Sequence, residues 1–91
     1  MTEVMQDEHR NRATALMVGE FIREIRGKRG LTQGQLGSLV GKDAPLIGDW
    51  ERGKCGMRLT SFLDLIWALD LSADELIGFL QADGALRAVT P

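Results

Sequence analysis

Residues 32–53 read TQGQLGSLVGKDAPLIGDWERG, and the reading of its second half decides the fold. Ala44, Pro45 and Gly48 stand close together, as in a loop. Leu46, Ile47 and Trp50 recur at a spacing of three to four, as on one face of a helix. The helix accommodates both patterns. Asp43 is a candidate N-cap, Ala44 then opens the first turn and Pro45 is its second residue. The N–H that proline lacks has no intrahelical partner there. Gly48 costs about 1 kcal/mol relative to alanine, and Gly53 stops the helix. Upstream, Thr32 caps a helix that starts near Gln33, turns Leu36, Leu39 and Val40 inward, and ends at Gly41. Two short helices joined by a tight glycine turn make a helix-turn-helix pattern. The spacing supports it. Gly37 stands where close packing admits only a small residue, and Gly41 stands where the turn favours positive φ. Ile47 and Trp50 seat the second helix on the core. The alternative is a generic αα-corner in a helical bundle.

The rest of the chain is also helical in pattern. Leu16, Met17, Phe21, Ile22 and Ile25 form an apolar stripe that predicts a helix over 13–28. Arg26, Lys28 and Arg29 complement its C-terminal dipole, and Gly30 stops it. Its start either reaches back toward Val4 and Met5 or leaves them in an arm. Residues 53–58, GKCGMR, read as a loop. A fourth helix is expected over 60–69, with Leu63, Ile66, Trp67 and Leu69 apolar. Ser72 and Glu75 make a capping box for a fifth helix carrying Leu76, Ile77, Phe79 and Leu80. Residues 81–91 form a short further helix or a loosely packed tail. No period-two alternation persists, so the expected class is all-α. The expected division is an arm or helix extension at 1–12, a helix-turn-helix domain at 13–80, and a tail at 81–91.

Ninety-one residues suffice for one domain with one core. At 44% hydrophobic and 26% charged, the composition is that of a soluble globular protein. No apolar run is long enough to span a membrane, and no apolar signal segment opens the chain. Cys55 is the sole cysteine, so no internal disulfide forms and the cytoplasm is the default compartment. The net charge of −2 is unevenly placed: residues 1–18 sum to −1, residues 19–58 to +3 and residues 59–91 to −4. An enzyme is not indicated. His9 is the only histidine and sits among charged residues. No Cys/His spacing suits zinc, and no glycine loop precedes a lysine as phosphate cradling requires. Cys55, beside Lys54, is a reactive-thiol candidate, with an incidental loop thiol as the simpler reading. Met17, Trp50 and Trp67 fall at helical spacing and read as packing. No metal or cofactor is expected.

GEFIREIRGKRGLTQGQLG (19–37), GKDAPLIGDWERGK (41–54) and LTSFLDLIWALDLSADELI (59–77) together resemble the Cro/C1-type (XRE-like) helix-turn-helix family, over roughly residues 17–80. The resemblance implies a compact five-helix bundle of the lambda-repressor-like type, with the helix-turn-helix at helices 2 and 3. It also implies dimeric binding to double-stranded DNA. At matching positions Gln33 touches a phosphate and steadies the recognition helix, and Thr32 caps the same phosphate-facing end. Ala44, Pro45 and Asp49 face base edges. Lys42, Arg52, Lys54 and Arg58 follow the backbone, and Arg26 with Glu51 forms a structural pair between helices 1 and 3.

The recognition face departs from the usual chemistry. Purine edges are read by Arg, Lys, Asn or Gln, whereas this helix offers Ala44, Pro45, Leu46, Gly48 and Asp49. Asp accepts from a cytosine amino group, and Ala or Pro touches a thymine methyl, while backbone contact and DNA shape carry the remainder. The expected function is a sequence-specific transcriptional regulator, cytoplasmic and nucleoid-associated, that binds a dyad-symmetric site as a homodimer. The second reading is an antitoxin-like or adaptor protein that uses the fold for protein contacts. Its acidic C-terminal part, with Asp70, Asp74, Glu75 and Asp83, would hold the partner, and the tail could pack on a second copy.

Overall fold

A computed structural model of the chain describes residues 2–89, with side chains over 8–88. It contains five helices in order: α1 (Thr2–Lys28), α2 (Gln33–Val40), α3 (Ala44–Glu51), α4 (Leu59–Ala68) and α5 (Ala73–Val89). The described residues contain no strand. At a 1.5 Å rise per residue, the 27 residues of α1 span about 40 Å. The molecule's longest dimension is 41 Å, so α1 sets its length.

The α2–turn–α3 unit forms from local chemistry. Thr32 Oγ1 accepts from the Gln35 backbone N–H at 3.0 Å, and the Gln35 side-chain oxygen accepts from the Thr32 N–H at 2.8 Å. This reciprocal pair is a capping box. Gly41 ends α2 in the left-handed region, at φ 70°. Gly37 faces the same turn. A Cβ there would strike the Lys42 carbonyl oxygen, so the small residue is demanded by the turn's own backbone. Asp43 then caps α3 through its side chain, accepting from the Leu46 N–H at 3.0 Å. Pro45 lies in the first turn, where its missing donor costs nothing.

The core is Ile22 and Ile25 of α1, Leu36 of α2, Ile47 and Trp50 of α3, with Leu65 and Leu69 at α4. Burying each such side chain contributes about 1.5–3 kcal/mol relative to exposure. α5 joins through aromatic contacts: Phe79 lies 4.6 Å from Phe21 and 5.7 Å from Phe62, centroid to centroid. The α4–α5 turn is held from outside α5. Arg29 donates from Nε to the Leu69 carbonyl at 2.8 Å and from Nη2 to the Asp70 carbonyl at 3.2 Å. It also forms an ion pair with Glu75 at 2.7 Å. These bonds lock the corner to the end of α1.

Several expected faces are rotated or extended. α1 runs back continuously to Thr2, and α5 continues through Gln81 to Val89 in place of a separate short helix. Trp67, expected to pack, is 83% exposed, and Leu63 and Leu39 are largely exposed as well. Leu69, as expected, is buried, and Leu65 with the half-buried Phe62 takes the inner face in place of Leu63 and Trp67. α4 is apolar nearly all round, so periodicity could not choose its inner face.

Candidate nucleic-acid interface

α3 is pinned from behind by one charged network. Arg26 of α1 grips Glu51 with both arms of its guanidinium, Nε to Oε2 at 2.6 Å and Nη2 to Oε1 at 3.0 Å. Its remaining Nη1 donates to the Leu31 carbonyl at 2.8 Å. Gln33 Nε2 donates to Glu51 Oε1 at 3.0 Å. Glu51 is the one buried charged residue among those described. Burial pushes its carboxyl up, but the bonds from Arg26 and Gln33 and the charges of Arg26 and Arg23 hold it below its ordinary value. Arg26 is correspondingly raised by the hydrogen bond to Glu51. The charge-assisted, bidentate geometry is the strong form of such a pair. It ties the first turn of α2, the end of α1 and the end of α3 into one unit.

The outer side of α3 differs from the sequence expectation at one residue. Gly48 lies on that side but is buried beneath other side chains. Arg52 Nη1 and the side-chain amide of Gln33 lie over it, and a Cβ would stand 3.2 and 3.4 Å from them. Arg52 also donates from Nη2 to Asp49 Oδ1 at 2.7 Å. Gln33, Asp49 and Arg52 are thus gathered over Gly48. Lys54 follows directly, its backbone N–H bonded to the Asp49 carbonyl at 2.9 Å. Pro45 is exposed and Ala44 half-buried at the start of the helix. Lys42 and Arg58 are exposed and stand outside this hydrogen-bonded group. Arg58 occupies the N-cap of α4 without a side-chain cap bond. Thr32 is engaged with Gln35 as described.

Among the described residues, Lys42, Lys54 and Arg58 have no ion-pair partner, whereas Arg26, Arg29, Arg52 and Arg87 are paired. Two members of the acidic C-terminal group are engaged internally: Glu75 by Arg29 and Asp83 by Arg87. Cys55 is exposed. No cluster of His, Cys, Asp and Glu among the described residues could hold a metal ion. No helix among them is long and apolar enough to cross a membrane. Sequence reading missed the contact of Arg52 with Asp49, and it gave Gln33 the role of steadying the recognition helix without naming Glu51 as its partner. Their i,i+3 spacing could have signalled the first, but the second joins residues 18 apart.

Five helices with an anchored α2–turn–α3 unit define an all-α helix-turn-helix protein. The model of the helix-turn-helix domain family matches residues 18–77, and the chain belongs to that family. Among solved structures it is similar to the restriction-modification controller protein C.AhdI from Aeromonas hydrophila. The two share 37% identity with a TM-score of 0.65, over 71% of this chain and 94% of the other. No curated protein matches the chain.

Proposed function

We propose that this chain is a sequence-specific DNA-binding transcriptional regulator that places the helix around 44–52 in the major groove. The observation that carries the reading is the pinned α3, with unpaired cations on its flanks. A recognition helix must be held rigidly, and Arg26, Gln33 and Glu51 hold it. Similarity to a restriction-modification controller protein supports a regulatory role. Lys42, Lys54 and Arg58 contact phosphates of the groove walls, with Thr32 and Gln33 at the end of α2. Arg52 contributes from its place beside Asp49. Ala44, Pro45 and Asp49 face the bases, so direct readout is modest and backbone geometry contributes much of the specificity. The protein works in the cytoplasm at the nucleoid, as a homodimer on a dyad-symmetric site.

Selection from random duplexes should enrich one dyad-symmetric sequence, and affinity for it should fall steeply as salt rises. Lys54→Ala should weaken binding to selected and random duplexes alike and flatten the salt slope by about one contact. Asp49→Ala should change the enriched sequence. A selection that enriches nothing at low salt sinks the reading and leaves a protein-binding module in its place.

A further inference from the structure

A cleft of about 540 Å³ lies between the N-terminal half of α1 and the loop that follows α3. Asn11, Arg12 and Thr14 form one wall, and Lys54, Cys55 and Gly56 form the other. No lining residue is acidic. Arg12 and Lys54 are both exposed, and neither has an ion-pair partner among the described residues. Two unpaired cations facing one acid-free cleft make a site for a divided negative charge.

The walls are held together by backbone contact. A Cβ on Gly19 would strike the Trp50 carbonyl oxygen, and a Cβ on Gly53 would stand 2.7 Å from the Leu16 side chain. α1 therefore lies directly against the end of α3 and the start of the loop. Arg12 is one turn before Leu16 and so shares its face. It also precedes residues 18–77, the part that matches the family. Any contact Arg12 makes belongs to the extension of α1 and not to the shared domain.

We infer that the N-terminal extension of α1 is a second phosphate clamp, in which Arg12 and Lys54 close on the same stretch of duplex backbone. The inference rests on the duplex-binding reading above and adds a contact to it. The backbone phosphodiester is the ligand, because the cleft carries two cations, no carboxylate, and the loop that directly follows the recognition helix. Arg12 thereby adds one phosphate contact beside that of Lys54.

The test is a salt series of anisotropy titrations on the selected duplex and on a random-sequence duplex. Wild type, Lys54→Ala, Arg12→Gln and Arg12→Lys are compared. Arg12→Gln should lower affinity on both duplexes equally and reduce the slope of log K against log salt by about 0.9, the loss of one phosphate contact. Arg12→Lys should restore the slope. Circular dichroism should show unchanged melting for both, since Arg12 is exposed and has no partner to lose. Wild-type slope and affinity in Arg12→Gln, with a weakened Lys54→Ala, overturn the clamp and leave the duplex reading standing. Wild type that binds no duplex at any salt overturns both.

Discussion

Gly48 sits in the middle of α3, where alanine would serve the helix better by about 1 kcal/mol. Its neighbours explain its presence. The tips of Arg52 and Gln33 lie over it, and a methyl group there would press on both. These tips are ends of flexible side chains, so they move at little cost to folding. Gly48→Ala should therefore raise the melting temperature by a few degrees, as a gain below about 1 kcal/mol does in a domain of this size, and yet weaken DNA binding. An unchanged affinity would show that the positions of Arg52 and Gln33 over α3 do not matter to function. Glu51→Ala should act in the opposite sense, leaving the half-buried Arg26 and Gln33 without their acceptor. The expected loss is about 3 kcal/mol, read by urea denaturation. At this scale the sequence was legible where chemistry is local: the Asp43 cap, Pro45 in the first turn and the Gly41 turn follow from neighbouring residues. It was illegible where distant side chains meet over a residue, as they do at Gly48.

α5 is attached to the rest of the molecule by its first turn and its aromatic face. Ser72 and Glu75 form the capping box, the Ser72 N–H donating to Glu75 Oε1 at 3.0 Å and the Glu75 N–H donating to Ser72 Oγ at 3.1 Å. Arg29 then bridges from the end of α1 to the same carboxylate. The Arg29 hydrogen bond, followed by the Ser72 backbone bond, lowers the Glu75 pKa from 4.5 to about 2. A carboxylate with a lowered folded pKa binds protons more readily when unfolded. Its contribution is complete above about pH 4.5 and is lost as pH falls toward about 2. Glu51 is shifted in the same direction and adds to the same acid sensitivity. Thermal melts should fall through that window, and Glu75→Gln should lower the melting temperature at neutral pH while flattening the acid slope. An unchanged slope in Glu75→Gln would place the sensitivity elsewhere. The box was readable from Ser72 and Glu75 alone, three residues apart. The bridge to Arg29 was not, because it depends on how the α4–α5 corner folds back onto α1. The inner face of α4 was misread for a related reason. Its apolar residues cover more than one side, and only packing against α2 and α5 selects Leu65 over Trp67.

A single α3 reads only half of a dyad-symmetric site, so the proposed function needs a second copy. We propose that it docks on the apolar residues left over by the core. α4 exposes Leu59 at 71%, Leu63 at 45% and Trp67 at 83%, each four residues from the next and so on one stripe. α5, alongside α4 through the Phe62–Phe79 contact, exposes Ile77 and Leu80. An apolar area of this extent marks an interaction surface. A stable interface needs about 1,000 Å² in total, or roughly 500 Å² from each partner. Trp67 alone supplies about 200 Å², and the four aliphatic side chains can supply the rest. A self-complementary patch is what a two-fold dimer requires. Trp67→Glu puts a charge into the apolar patch of each copy, where docking would have to desolvate it. Sedimentation equilibrium should show wild type as a dimer and Trp67→Glu as a folded monomer. The monomer should bind the full dyad site no more tightly than a half-site. A wild-type monomer at all concentrations would remove the second copy from this surface and assign it to another protein. A dimer in Trp67→Glu would move the interface to some other face of the molecule.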